Sequence, residues 1–178
     1  MRRAWFALVG FAVLATASSG LMQVWTIPII TANTGDFQMF DLRRQGYDLG
    51  QAVTCLARMG PDGVSTYLGA QRVLDTLFPV GLTGVLTLGI YLGLRRKAGR
   101  AAIVGALLPL GYFYVDLLEN AAVARLLKAP EVTAQSVEAA SAYTVLKFQL
   151  FDASVLLLLL CIIGHVVARS LAWFRRRS

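Results

Sequence analysis

The chain is poor in charge and in the residues that build soluble catalytic sites. Only 15% of its 178 residues are charged, it has a single histidine, and it has two cysteines. Soluble domains carry about 25% charged residues. One histidine and two cysteines argue against a zinc site, which usually recruits His and Cys. His165 lies near the far end of the last span, at a different depth from the acids, and is expected to cap or snorkel. Cys55 and Cys161 fall in different environments and are expected to stay unpaired. There is no Gly-x-Ser-x-Gly elbow, no phosphate loop and no His-Glu-x-x-His. No cofactor and no metal are therefore expected.

What is present is apolar. Hydrophobic residues make up 57% of the sequence and the mean hydropathy is +0.62. About 20 apolar residues cross a bilayer core, so the chain has room for four spans. They are read over 4–30, 68–94, 101–127 and 142–168, with a short amphipathic helix over 47–59. The expected fold is all-α, a single transmembrane four-helix bundle. Pro79 and Pro109 fall inside spans two and three, where a proline frees a carbonyl and commonly bends the axis.

The first span has a rival reading. Arg2 and Arg3, an apolar run and Ala15-Thr16-Ala17 resemble a signal peptide with a small-residue cleavage site. The apolar run resumes at Leu21 and continues to Ile30, which favours an uncleaved span. The connection after it opens with a turn-rich stretch over 31–36. In the amphipathic helix Leu49, Ala52, Val53 and Leu56 recur at helical spacing, and Gly60-Pro61-Asp62-Gly63 then breaks the pattern. Such a helix lies in the membrane interface or packs on the ends of the spans.

The net charge of +7 is distributed unevenly. The N-terminus, the 95–100 loop and the C-terminal tail hold ten of the seventeen basic residues and no acid. Four spans put these three segments on one side. By the positive-inside rule that side is the cytoplasm. Aromatics are not interleaved with the basic runs, so nucleic acid is not the expected partner. Membrane lipids with anionic headgroups are, along with a homo-oligomer or a membrane-protein partner. Gly89 and Gly93 make one small-xxx-small step suited to close helix packing, within the chain or between chains.

Four acids, Asp75, Asp116, Glu119 and Asp152, fall inside the spans, with Asn120, Lys147 and Gln149. An isolated mid-span charge costs about 2.5–3.5 kcal/mol on the insertion scale, so these groups must pair, protonate or face water. At 1.5 Å per residue all four acids lie about 10–16 Å below the outer surface. Asp116, Glu119 and Asn120 share one helix face by their i, i+3, i+4 spacing. Lys147 is the obvious cation for one carboxylate, and Arg72 is a second. Asp75, Asp116, Glu119, Asn120, Lys147, Asp152 and Arg72 are thus the candidate pocket residues.

Short motifs reinforce part of this set. Gly60 and Gly63, Tyr67-Leu68, Asp75 before Phe78-Pro79, and then Asp116, Glu119 and Asn120 form a recurring pattern. It resembles that of a family of uncharacterised bacterial four-span membrane proteins. The resemblance implies a four-span fold and no particular activity. Three functions remain open. One is a lipid-handling pocket, either a binding site or an acid–base enzyme. The second is a scaffold or assembly subunit in which the polar residues are interhelical glue. The third is a proton- or cation-coupled transporter, disfavoured by the apolar inner halves of spans three and four.

Overall fold

The computed structural model describes residues 2–32 and 38–175. The turn expected over 31–36 lies, from residue 33 on, outside that range, as do Arg176 and Arg177 of the tail. The fold is all-α, with four long helical segments packed together, each long and apolar enough to cross a membrane.

The first segment comprises α1 (Arg2–Leu21), a π-helical turn (Met22–Thr26) and α2 (Ile27–Thr31). The wide turn has a cause in the sequence. Pro28 has no N–H for the carbonyl four residues before it. The ladder loosens there, and the Ile27 N–H reaches back five residues to the Met22 carbonyl.

The connection that follows is ordered by its contacts. A 3₁₀ turn (Phe40–Leu42) buries Phe40 against Tyr47, their ring centroids 5.1 Å apart. Gly46 has φ +82°, and a Cβ there would lie 2.6 Å from the Ser141 hydroxyl. The backbone can therefore close on the next-but-two segment, and the Tyr47 N–H donates to Ser141 Oγ at 2.8 Å.

Helix α3 (Leu49–Thr66) starts in a capping box. Asp48 accepts from the Gln51 N–H at 2.8 Å, and Gln51 accepts from the Asp48 N–H at 3.1 Å. The expected break occurs at Gly60 alone, with φ 69° and ψ 170°. Pro61 then opens the next helical stretch, where its missing N–H costs nothing. The chain continues through a second π-helical turn (Tyr67–Gln71) into α4 (Arg72–Ala98). The amphipathic segment packs on the span ends. Its buried face is Ala52, Cys55 and Met59, joined in one core with Ile30, Val123, Leu126, Val137 and Ala140. Leu49 and Val53, expected on that face, are exposed instead, because the stripe is centred on Cys55.

Helix α5 (Ala101–Lys128) follows the short turn at Gly99, and α6 (Ala134–Arg175) completes the fold. Helix α6 begins eight residues before the expected start of span four at Ala142. Thr133 and Ser136 set that start by bonding reciprocally: the Ser136 N–H to Thr133 Oγ1 at 3.3 Å, the Thr133 N–H to Ser136 Oγ at 3.2 Å. Helices α4 and α5 run through Pro79 and Pro109 without interruption.

Helix α4 is the hub, contacting α1, α5 and α6, while α5 and α6 also pack on each other. Glycines set the close approaches. A Cβ at Gly81 would come within 2.6 Å of the Ala15 nitrogen and 2.7 Å of the Phe11 carbonyl oxygen, so α1 rests on bare backbone there. Gly84 receives the Phe11 ring. Gly89 and Gly93 face Leu158 and Cys161 of α6, so their packing is within the chain.

Candidate functional site: a buried acidic cluster beside an apolar cavity

The polar residues divide into two adjoining groups. The first is a closed network between α5 and α6. Glu119 is fully buried and accepts from the Thr144 hydroxyl at 2.5 Å and from the Lys147 ammonium. Lys147 also lies 3.5 Å from Asp116 Oδ1 and donates to the Asp41 carbonyl at 3.3 Å. Asn120 donates to Asp116 Oδ2 at 3.3 Å. Charge-assisted bonds of this kind are the strong ones, and here they satisfy both oxygens of Glu119.

The second group faces a cavity of about 240 Å³. Asp41, Gln71, Asp75, Tyr112, Asp116 and Lys147 supply its polar lining. Met22, Ile27, Phe78, Leu82, Phe148 and Phe151 supply much of its apolar wall. The two π-helical turns flank it. Thr26 donates to Gln71 across them, and Gln71 Nε2 lies 3.3 Å from Met22 Sδ. Turns of this kind inside α-helices recur at functional sites, because they turn side chains off the regular helical stripe.

Two carboxyls on this cavity have an oxygen without a close protein hydrogen bond. Asp75 is 9% exposed and has no hydrogen-bond partner among the described residues. Pro79 also has no N–H to give the Asp75 carbonyl four residues back. Asp41 Oδ1 is buried without a partner, as is the Tyr67 hydroxyl. Burial pushes the Asp41 carboxyl above its ordinary value of 3.8, and the Lys147 ammonium pulls it part of the way back. Among the described residues Lys147 is the only cation lining the cavity, against three carboxyls. Unmet acceptors beside an apolar wall favour a ligand that brings hydrogen-bond donors and an apolar body.

The sequence-derived candidates separate accordingly. Asp75, Asp116 and Lys147 meet on the cavity, and Glu119 and Asn120 stand directly behind it. Asp152 does not join them. It is exposed and pairs with Arg44, whose Nη2 donates to both carboxylate oxygens at 2.5 and 2.6 Å. Equal depth does not mean a shared face: five residues after Lys147, Asp152 is turned about 140° around the helix. Arg72 is also exposed, beside a shallow depression lined by Leu68, Val73 and Thr76, and pairs with none of the acids. The cation that meets a second carboxylate is Arg44, which also lies 4.5 Å from the centre of the Phe148 ring on the cavity wall.

Asp41 was not among the sequence candidates, since it sits in the polar connection. Its signal was local: Met39-Phe40-Asp41-Leu42 places one acid inside an apolar run, and both Met39 and Phe40 are buried. Among the described residues no three His, Cys, Asp or Glu side chains converge as ligands for a metal ion.

Four apolar helical spans around a buried acidic cluster define a multi-pass membrane protein. No protein-family model, curated protein or solved structure matches the chain.

Proposed function

We propose that this protein binds a membrane lipid or similar amphiphile in the acidic cavity, with the ligand's polar end donating hydrogen bonds to Asp75 and Asp41. The observation that carries this reading is the unpartnered Asp75 carboxyl in an apolar-walled cavity. A hydroxyl or ammonium group would satisfy it, and an acyl or isoprenoid body would lie against Phe78, Phe148 and Phe151. The protein is assigned to a bacterial inner membrane, with both termini cytoplasmic and the cavity in the outer half of the bilayer. The acid-free basic segments support that orientation. The resemblance to bacterial four-span proteins supports the compartment.

The Glu119–Lys147–Thr144 network favours a second reading for the residues behind the cavity. Its partners are all internal, as interhelical glue requires, and a scaffold subunit would need nothing more. Transport is disfavoured, because α5 carries no charged residue between Ala101 and Val115.

Native mass spectrometry of the gently solubilised protein distinguishes these readings. The wild type is expected to carry a defined amphiphile, and Asp75→Asn to lose it while melting at the same temperature. Equal retention by both proteins, or no bound amphiphile in either, would reject the cavity as a ligand site and leave the scaffold reading.

A further inference from the structure

The opposite end of the bundle holds a larger cavity, of about 730 Å³, between the starts of α1 and the ends of α4 and α6. Its polar lining is wholly basic: Arg95 and Lys97 from α4, His165 and Arg169 from α6. His165 and Arg169 are four residues apart and so share a helix face. Lys97 is drawn toward them by donating to the Gly164 carbonyl at 3.2 Å.

This end has no acid to neutralise it. The sequence contains no Asp or Glu in residues 1–35, 76–115 or 153–178. The remaining wall is apolar or amphipathic, with Trp5, Leu8 and Leu92. Trp5 is 67% exposed at the first turn of α1, where an indole anchors at a headgroup layer.

We infer that this basic cavity seats the phosphate group of an anionic phospholipid, with Arg95, Lys97 and Arg169 on the phosphate and the glycerol end against Trp5 and Leu8. The shared chemistry is a phosphate ester or free phosphate. The apolar walls and a volume far above that of a free phosphate ion select the lipid. The site is independent of the acidic cavity and of what occupies it.

The test is native mass spectrometry from mixed micelles of phosphatidylglycerol and phosphatidylcholine, and separately with inorganic phosphate alone. The wild type is expected to retain phosphatidylglycerol preferentially. Lys97→Gln with Arg169→Gln should weaken that retention about thirty-fold, each basic group near an anionic surface being worth about a factor of five. Arg125→Gln with Lys128→Gln removes the same charge at the other end and should leave retention unchanged. Equal retention of the two lipids, equal loss in both charge variants, or binding of inorganic phosphate without lipid would overturn the assignment.

Discussion

Glu119 and Lys147 are a buried pair whose value depends on both members. Desolvating two charges costs several kcal/mol each, and the pair recovers this only while its hydrogen bonds are complete. Glu119→Gln leaves the Lys147 ammonium buried with Asp116 as its one remaining carboxylate neighbour within 4 Å. It is expected to lower unfolding stability by about 3–5 kcal/mol. Glu119→Gln with Lys147→Met should recover much of that loss, measured by denaturant titration in detergent. Recovery absent from the double variant would mean the pair is not the source of the loss. Asp75→Asn contrasts with both, since no described residue hydrogen-bonds to its carboxyl, so its effect should fall on ligand retention rather than on melting.

At the scale of elements, Gly81 and Gly89 offer matched tests of how α4 meets its neighbours. Both sit on close approaches, but Gly81 meets backbone and Gly89 meets the flexible end of Leu158. Backbone cannot move aside without shifting the whole of α1. Gly81→Ala is therefore expected to cost about 1–3 kcal/mol, as overpacking does, and Gly89→Ala distinctly less. Thermal melts of the two variants in one detergent decide this, and equal shifts would reject the proposed seat of α1. The span pattern and the Lys147 pairing were legible in the sequence, because apolar length and helical spacing are local quantities. The face of α3 was rotated by its core partners, which no local pattern records. Asp152 and Arg72 were misplaced for a related reason: depth along a helix is additive, but direction around it is set by the neighbours. Asp41 was hidden because its burial is conferred by α6 and the Gly46 turn, about a hundred residues apart.

For the whole molecule, the proposed orientation can be tested directly. Alkaline phosphatase fused after Gly99 should be inactive, and fused after Glu131 it should be active, since only the second junction faces the periplasm in the proposed topology. The opposite pattern would invert the molecule and move the acidic cavity to the inner leaflet. The two cavities sit at opposite ends of α4, one lined by carboxyls and one by basic groups. The end of α4 that carries the basic cavity is therefore free of acids, while the other end carries charges of both signs.

The seat of α1 on Gly81 and Gly84 also sets an order of assembly. Helix α1 is synthesised before α4, yet Phe11 and Gly81 are 70 residues apart in the chain (81 minus 11). Helices α4, α5 and α6, by contrast, are joined by short turns and find one another as they emerge. Helix α1 must therefore wait in the lipid as an independent span until α4 arrives. It can do so because it carries no charged residue after Arg3, and its backbone bonds are satisfied within the helix. The helix made first becomes the last wall of the acidic cavity to be put in place.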